Sequence, residues 1–189
     1  MKTGKNYTLL HRRKREKKTD YKARLGLLSS RKLRLVVRRS LNNILLQIVT
    51  FEPKGDKTLV SAHSRELLKY GWNAHRGNVP TAYLLGFMCG LKAKKKGIQD
   101  MVLDLGLLKA IPGSSPFAAL KGVLDVGIRV PYSEKVLPRE EALQGSIISL
   151  YAQKTLPQNQ FSKTLKKTTI QDLTQHFAEV KQKIQLAWQ

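Results

Sequence analysis

The sequence predicts an α/β fold in which helices pack on the faces of a mixed β-sheet. Three consecutive segments have strand character and are separated by turn formers, which indicates an antiparallel meander. After them, helical and strand-like segments alternate twice, which indicates that further strands join the same sheet. The chain has 189 residues, of which 41% are hydrophobic, and this is enough apolar material for the core of one domain.

The meander is predicted over residues 33–63. Residues 44–51 are apolar on both faces, which favours a central strand, and the turn formers of residues 53–56 return the chain into a third strand over residues 57–63. In the first strand, residues 33–39, alternation gives each face its own set of side chains: Leu33, Leu35 and Val37 on one, Arg34, Val36 and Arg38 on the other.

Two helix starts follow the meander. Ser64 is expected to cap a short helix over residues 65–70, because serine readily accepts hydrogen bonds from the free amides of a first helical turn. Asn78 is expected to cap a longer helix, with Pro80 in its first turn and Gly97 at its end.

The remaining elements alternate in type. Residues 101–105 predict a buried strand, residues 114–127 a second long helix, and residues 128–130 a last strand. Farther along, one helix is expected near residues 140–153, and spaced apolar positions over residues 170–188 predict an amphipathic C-terminal helix.

Positive charge is concentrated at the start of the chain. There are 35 Lys and Arg against 13 Asp and Glu, a net charge of +22, and residues 1–40 alone hold 15 of the cations and two of the acids. Such clustering is typical of proteins that bind polyanions, because contacts to phosphates release condensed counterions. Residues 11–24 lack apolar periodicity, so we expect an arm, extended or partly helical, that becomes ordered on its partner. A solvated basic tail or a targeting signal is the alternative.

Composition excludes several other classes of protein. A single Cys is incompatible with a disulfide scaffold or a multi-Cys zinc site and suits a reducing compartment. No apolar stretch approaches the roughly 20 residues of a membrane span, and the basic N-terminus lacks the apolar segment of a secretory signal. We therefore expect an intracellular protein without a membrane partner. We also expect no small-molecule substrate and no cofactor.

Reactive groups do not converge in the sequence. The histidines lack zinc-like spacing, and Cys89 lies among apolar helical residues, where a packed thiol is more plausible than a nucleophile. Asp100, Asp104 and Asp125 are the only carboxylates that could gather around a metal, and no base accompanies them. We expect no catalytic residues and no metal ligands.

The candidate residues for binding a nucleic acid are mostly cations of the arm. Contacts from such side chains to phosphates position a protein more than they read sequence, and arginine suits planar bidentate contacts better than lysine does. The arm contributes Arg12, Arg13, Lys14, Arg15, Lys17, Lys18 and Arg24. Arg34, Arg38 and Arg39 are expected to extend this basic surface, with a solvated strand face as the alternative.

Aromatic and polar side chains complete the set. Tyr21 is expected either to stack on an unpaired base or to anchor the arm on the sheet, and Trp72 either to stack on a base or to pack its own loop. Ser114 and Ser115 open a helix whose amides and positive dipole end could bind phosphate, or they form an ordinary cap. Asn78 is the last residue in this set of candidate binding residues.

Seven motifs in order resemble the archaeal and eukaryotic form of the universal large-subunit ribosomal protein L-eighteen family, which binds 5S rRNA. The resemblance covers about residues 5–155. It is carried by RRKREKKTDY (12–21), RLVVR (34–38), GD to SAHSREL (55–67), KYGW (69–72), GNVPTAYLLG (77–86), LDLGL (103–107) and GSSPFAALKGVLDVG (113–127).

The resemblance implies a three-layer α/β core with a ribonuclease-H-like motif that serves as an RNA platform without catalysis. It implies a cytoplasmic protein of the large ribosomal subunit, located in the central protuberance. Its partners would be 5S rRNA, large-subunit (23S-type) rRNA, a ribosomal protein of the L-five family and other proteins of the protuberance. We expect three regions: a basic arm (residues 1–30), the α/β core (31–131) and an extension with the C-terminal helix (132–189).

Two other functions stay open from the residues alone. One is an RNA-processing hydrolase on the same fold that uses Asp104 and Asp125 with Mg²⁺. The other is a nonspecific nucleic-acid compaction protein, which would show no preference for folded rRNA.

Overall fold

The computed structural model describes residues 8–154 and 173–188. Residues 1–7 of the predicted arm, the end of the polar segment after residue 154, and the predicted helical position Ile170 lie outside the described residues. The elements in chain order are α1 (Arg12–Arg15), α2 (Tyr21–Ser29), β1 (Arg34–Arg39), β2 (Ile44–Thr50), β3 (Lys57–His63), a 3-10 helix (Ser64–Tyr70), α3 (Val79–Lys95), β4 (Val102–Asp104), α4 (Ser115–Asp125), a second 3-10 helix (Glu134–Val136), α5 (Glu140–Gln144), α6 (Ser146–Lys154) and α7 (Leu173–Trp188).

The sheet has four strands in the order β3-β2-β1-β4. The predicted meander is confirmed, because β1 and β2, and β2 and β3, pair antiparallel, while β4 joins β1 in parallel. The strand predicted over residues 128–130 is wrong: Arg129 forms a single parallel bridge with Asp100. Gly127, with φ of 96°, and Pro131 leave room for only three extended residues between them.

One face of the sheet carries the main apolar core. Its side chains from β1, β2 and β3 pack with α3 and α4 in one buried cluster that includes Leu35, Val37, Leu46, Ile48, Val60 and Ala62. The two helices cross closely through glycines. A Cβ at Gly86 would overlap the backbone of Ala119, and one at Gly122 would overlap the backbone at Tyr83. Glycine at these positions therefore sets the distance between α3 and α4.

Caps decide where the helices begin. Asn78 caps α3 as predicted, accepting the Thr81 amide at 3.1 Å. For the short helix the predicted cap is wrong: His63, and not Ser64, precedes it, and the His63 ring accepts the Arg65 amide at 3.0 Å while the Glu66 carboxylate accepts the His63 amide. This reciprocal arrangement is a capping box.

The C-terminal half adds three helices to the core. The single helix predicted near residues 140–153 is two helices, α5 and α6, because Gly145 adopts a left-handed φ of 81° between them. The amphipathic character predicted for α7 is confirmed, since Leu173, Phe177, Val180 and Ile184 are buried in the main cluster.

Polar contacts also attach α7 to the body. The Lys181 ammonium donates to the Tyr83 hydroxyl at 2.7 Å, and that hydroxyl donates to Asp125 at 2.6 Å. Burial, and then the Asp125 carboxylate, raise the pKa of the Tyr83 hydroxyl, so it stays a donor. At the other end of α7, the Trp188 indole donates to the Tyr70 hydroxyl at 2.9 Å.

The opposite face of the sheet is covered in a different way. Val36 and Val49 are buried there, yet neither belongs to the main cluster. Helix α2 lies along this side, with Leu27 and Leu28 half-buried, and supplies the third layer. Asp20 caps α2 by accepting the amides of Lys22 and Ala23. The three-layer α/β class is thus confirmed.

Candidate nucleic-acid interface

The described part of the arm presents its cations to solvent. Residues 11–18 are all exposed and include the short helix α1. Glu16 lies 3.6 Å from Arg12 Nε and 2.9 Å from Lys18 Nζ, which leaves the other cations of this segment facing outward. The exposed predicted site residues of the arm are Arg12, Arg13, Lys14, Arg15, Lys17 and Lys18.

A chain of ion pairs fixes the arm to the sheet; we call it the arm network. Arg24 on α2 contacts Asp56, in the β2–β3 turn, at 2.9 Å. Asp56 also contacts Arg34 on β1 at 2.6 Å, and Arg34 contacts Asp104 at the end of β4 at 2.8 Å. Four separate segments therefore meet through alternating charges.

Arg34 lies at the centre of this network, with only 2% of its surface exposed. The prediction that Arg34 extends the basic surface is wrong. The parallel register places Val36 beside Asp104, so the alternate β1 side chains share that carboxylate's face. A buried guanidinium is tolerated only with paired carboxylates, and Arg34 has two. It acts from inside, by positioning the arm.

Arg38 and Arg39 reach solvent at the end of β1. Arg38 donates to the carbonyl of Val37 at 2.9 Å, and its second terminal nitrogen lies 3.9 Å from Asp104. Gly106 follows Asp104 with φ of 61°, and its amide donates to the Asp104 carboxylate at 2.8 Å. Asp104 thus holds both the buried Arg34 and the loop beside Arg38.

A cleft of about 580 Å³ separates the arm from the end of the sheet; we call it the arm cleft. Five of its cations come from the arm and from β1, against Asp20 and Asp104 as acids, and several leucines complete the lining. The cations are Arg13, Lys18, Arg24, Arg38 and Arg39. This composition favours an anionic ligand with an apolar part.

Tyr21 remains partly exposed, at 36%, at the start of α2. Its ring lies 5.3 Å from the ring of His11 at an angle of 43°. The aromatic contact shown is therefore made within the arm, and one part of the ring surface still faces solvent.

Trp72 is completely buried. Its indole donates to the Thr81 hydroxyl at 2.8 Å, and its ring stacks on His176 of α7 at 5.2 Å with an angle of 7°. Of the two interpretations of Trp72, packing of its own loop is confirmed and a surface position for base stacking is wrong. Burial lowers the pKa of the His176 imidazole, which keeps the stacked ring neutral.

The polar candidates at helix starts serve the fold. Asn78 caps α3. Ser115 is 5% exposed, so its side chain is not on the surface, and the Ser114 hydroxyl donates to the Ile111 carbonyl at 2.6 Å. The hydroxyls are thus engaged or buried, while the binding of phosphate by the amides and the positive dipole end of α4 stays a prediction.

Each of the three carboxylates considered as metal ligands forms an ion pair with a cation that lies close to it in the fold. Asp104 contacts Arg34, Asp125 contacts Lys121 at 2.8 Å, and Asp100 contacts Lys32 at 2.7 Å. Within residues 8–154 and 173–188, no three His, Cys, Asp or Glu side chains are grouped to hold a metal ion. The donor set of the hydrolase alternative is therefore not assembled there.

Cys89 is buried in α3, and burial raises the pKa of its thiol to about 12. A thiol so far from ionisation is a poor nucleophile, in agreement with a packing role.

Among the described helices, none is long and apolar enough to cross a membrane.

A family comparison identifies the class of protein to which the chain belongs. A family model described as ribosomal large subunit proteins 60S L5 and 50S L18 matches residues 5–101, about half of the chain. The match spans the arm, the meander and α3. The chain belongs to this family. Membership in the L5/L18 family makes it an RNA-associated protein of the large ribosomal subunit, which functions in translation as a structural component.

Proposed function

We propose that the protein binds 5S rRNA and anchors it to large-subunit rRNA in the central protuberance of the cytoplasmic ribosome. The observation that carries this proposal is the arm network, which holds a row of exposed cations against the sheet of an L5/L18 family protein. An arm fixed in this way presents its charges in a defined arrangement, which suits a folded RNA better than a uniform duplex.

The exposed arm cations contact phosphates and set the register of the protein on the RNA. Arginine at positions 12, 13 and 15 can make planar bidentate contacts, while the lysines act as point charges. Tyr21 offers a ring face for stacking on an unpaired base. A ribosomal protein of the L-five family and other proteins of the protuberance are the protein neighbours we propose. Catalysis has no part in this function.

The test is a competition experiment with the full chain, folded 5S rRNA and an RNA duplex of equal charge. The folded RNA should win, and about six to ten phosphate contacts should lower its affinity roughly 10³–10⁵-fold between about 50 and about 200 mM salt. Equal affinity for the two RNAs would contradict the proposal and would favour nonspecific compaction.

A matched pair of variants tests whether the arm makes those contacts. K14Q/R15Q removes two exposed arm cations, and K69Q/K94Q removes two exposed cations from the 3-10 helix and α3. The arm variant should reduce the slope of log affinity against log salt by about 0.7–0.9 for each lost phosphate contact. The control variant should retain the wild-type slope, and equal slopes for both variants would contradict an arm-centred interface.

A further inference from the structure

We propose that the arm cleft receives one unpaired nucleotide of the bound RNA, with the base inside and the phosphate at the cationic rim. This inference rests on the proposed function, because it specifies which part of an RNA ligand this surface takes. It concerns a site that lies between the arm and the β4 end of the sheet and that neither region forms alone.

The lining of the cleft has the two chemical parts that a nucleotide needs. Leu27, Leu103, Leu105 and Leu108 line it and are half-buried, so they offer an apolar surface to a base. Arg13, Lys18, Arg38 and Arg39 line it and are exposed, so they can reach a phosphate. The volume of about 580 Å³ is within the roughly 300–1,000 Å³ of small-ligand sites.

Arg38 has donors left for a ligand. Among the described residues, one terminal nitrogen is engaged by the carbonyls of Val37 and Asp104, while the other lies 3.9 Å from the Asp104 carboxylate, too far for a hydrogen bond. A Cβ at Gly106 would lie 2.8 Å from the Arg38 guanidinium. The loop backbone therefore lies close to the guanidinium beside the cleft. Among the described residues, Arg13 likewise engages only its Nε, which donates to Thr19 at 2.8 Å.

A nucleotide fits these observations better than a small anion or a paired strand. A small anion would leave the leucines unused. A base-paired strand cannot insert, because its bases are held in the stack and single-stranded bases are the ones that proteins splay out and bind.

The experiment fills the cleft without changing charge. Ala23 lines the cleft from α2 and is exposed, so A23W should occupy space that the base needs. L25W places the same side chain on the same helix outside the cleft lining and is the matched control. A23W should weaken binding of folded 5S rRNA at least about tenfold, a loss of roughly 1.4 kcal/mol, and L25W should bind within about twofold of the wild type.

Chemical probing of the bound RNA identifies the nucleotide. In the wild-type complex one unpaired nucleotide should be protected, and with A23W that nucleotide alone should regain reactivity while the rest of the footprint remains. Wild-type affinity of A23W, or an equal loss with both tryptophan variants, would overturn the nucleotide site and leave 5S rRNA binding standing. Failure of the wild type to prefer folded 5S rRNA would instead overturn the proposed function.

Discussion

The two faces of the sheet are covered by different physical means. On one face, Leu35, Val37, Leu46 and Ile48 pack against α3 and α4 in a continuous apolar cluster that extends to α7. On the other face, α2 contributes no residue to that cluster among the described residues, and the covering layer is held through Arg24, Asp56, Arg34 and Asp104.

The difference means that one face mainly determines the stability of the domain and the other mainly determines the position of the arm. Burial of apolar surface is strong and non-directional, so the first face determines that the domain folds. Ion pairs need defined geometry and contribute little net free energy when they are exposed. The second face can therefore fix where the arm lies while adding less to the stability of the whole domain. If the arm binds RNA as we propose, the ion pairs would replace the ordering on the partner that the sequence predicted, since they already fix where its cations lie.

The largest effect is expected at the helix crossing on the apolar face. G86A should destabilise the protein by about 3 kcal/mol, because the new methyl group overlaps the Ala119 backbone and overpacking must separate α3 from α4. Urea unfolding measures this. G26A in α2 is the control, since no atom of the described residues lies within 4 Å of a Cβ there. It should be neutral or should stabilise by up to about 1 kcal/mol. Similar losses for both variants would contradict the contrast between the faces.

The next largest effect is expected at the buried end of the arm network. D104A leaves Arg34 with Asp56 as its one remaining carboxylate among the described residues. It should cost about 2 kcal/mol, below the roughly 3–5 kcal/mol for a buried charge left fully unpaired. Because Asp104 also accepts the Gly106 amide, hydrogen exchange at Gly106 should accelerate. The double variant R34M/D104L removes the buried charge itself and should be more stable than D104A. A double variant less stable than D104A would contradict the interpretation of Arg34 as a buried charge that needs its partners.

The elements of the apolar face were predictable because their signals are local. Alternation in residues 33–39, the turn of residues 53–56 and the Asn78 cap each act over a few residues, and they located β1, β3 and α3 to within about a residue. The close α3–α4 crossing was not predictable, since a glycine such as Gly86 in an apolar helix does not indicate which helix approaches it.

For the arm face, the sequence predicted the positive charge of the arm but not where its side chains and those of β1 lie. A basic arm follows from composition, whereas the burial of Arg34 depends on carboxylates 22 and 70 positions away, Asp56 and Asp104. The available signal was the apolar run of residues 35–37 directly after Arg34, which puts apolar side chains on both faces of the strand and favours burial of both. Trp72 was ambiguous for the same reason, because its partner His176 lies on α7.

A smaller effect is expected at the outer end of the arm network. R24A removes a pair whose side chains are about a third and a quarter exposed, so the loss in global stability should stay below about 1 kcal/mol. Amide exchange within α2 should nevertheless accelerate, because Arg24 links this helix to Asp56. K22A removes one charge from an exposed position of the same helix and is the control. Equal exchange in both variants would mean that apolar contacts of Leu27 and Leu28, and not the ion pair, position the arm.

The smallest effect is a pH dependence on the apolar side, where α7 docks. Burial, opposed by Glu179 and reinforced by Lys183, lowers the pKa of His176 below the ordinary 6.5. The unfolded chain then binds a proton before the folded chain does, so stability contributed by the neutral ring is present above about pH 6.5 and is lost as the pH falls toward the lowered pKa. H176F keeps a ring against Trp72 and removes the titration.

Urea unfolding between about pH 8 and about pH 5 should therefore show a smaller loss of stability on acidification for H176F than for the wild type. H11F, which removes a histidine from the arm without touching α7, should follow the wild-type profile. Parallel loss in H176F and the wild type would mean that protonation of His176 leaves the Trp72 stack intact. The docking of α7 would then depend on its buried apolar side chains and on the polar contacts of Lys181 and Trp188.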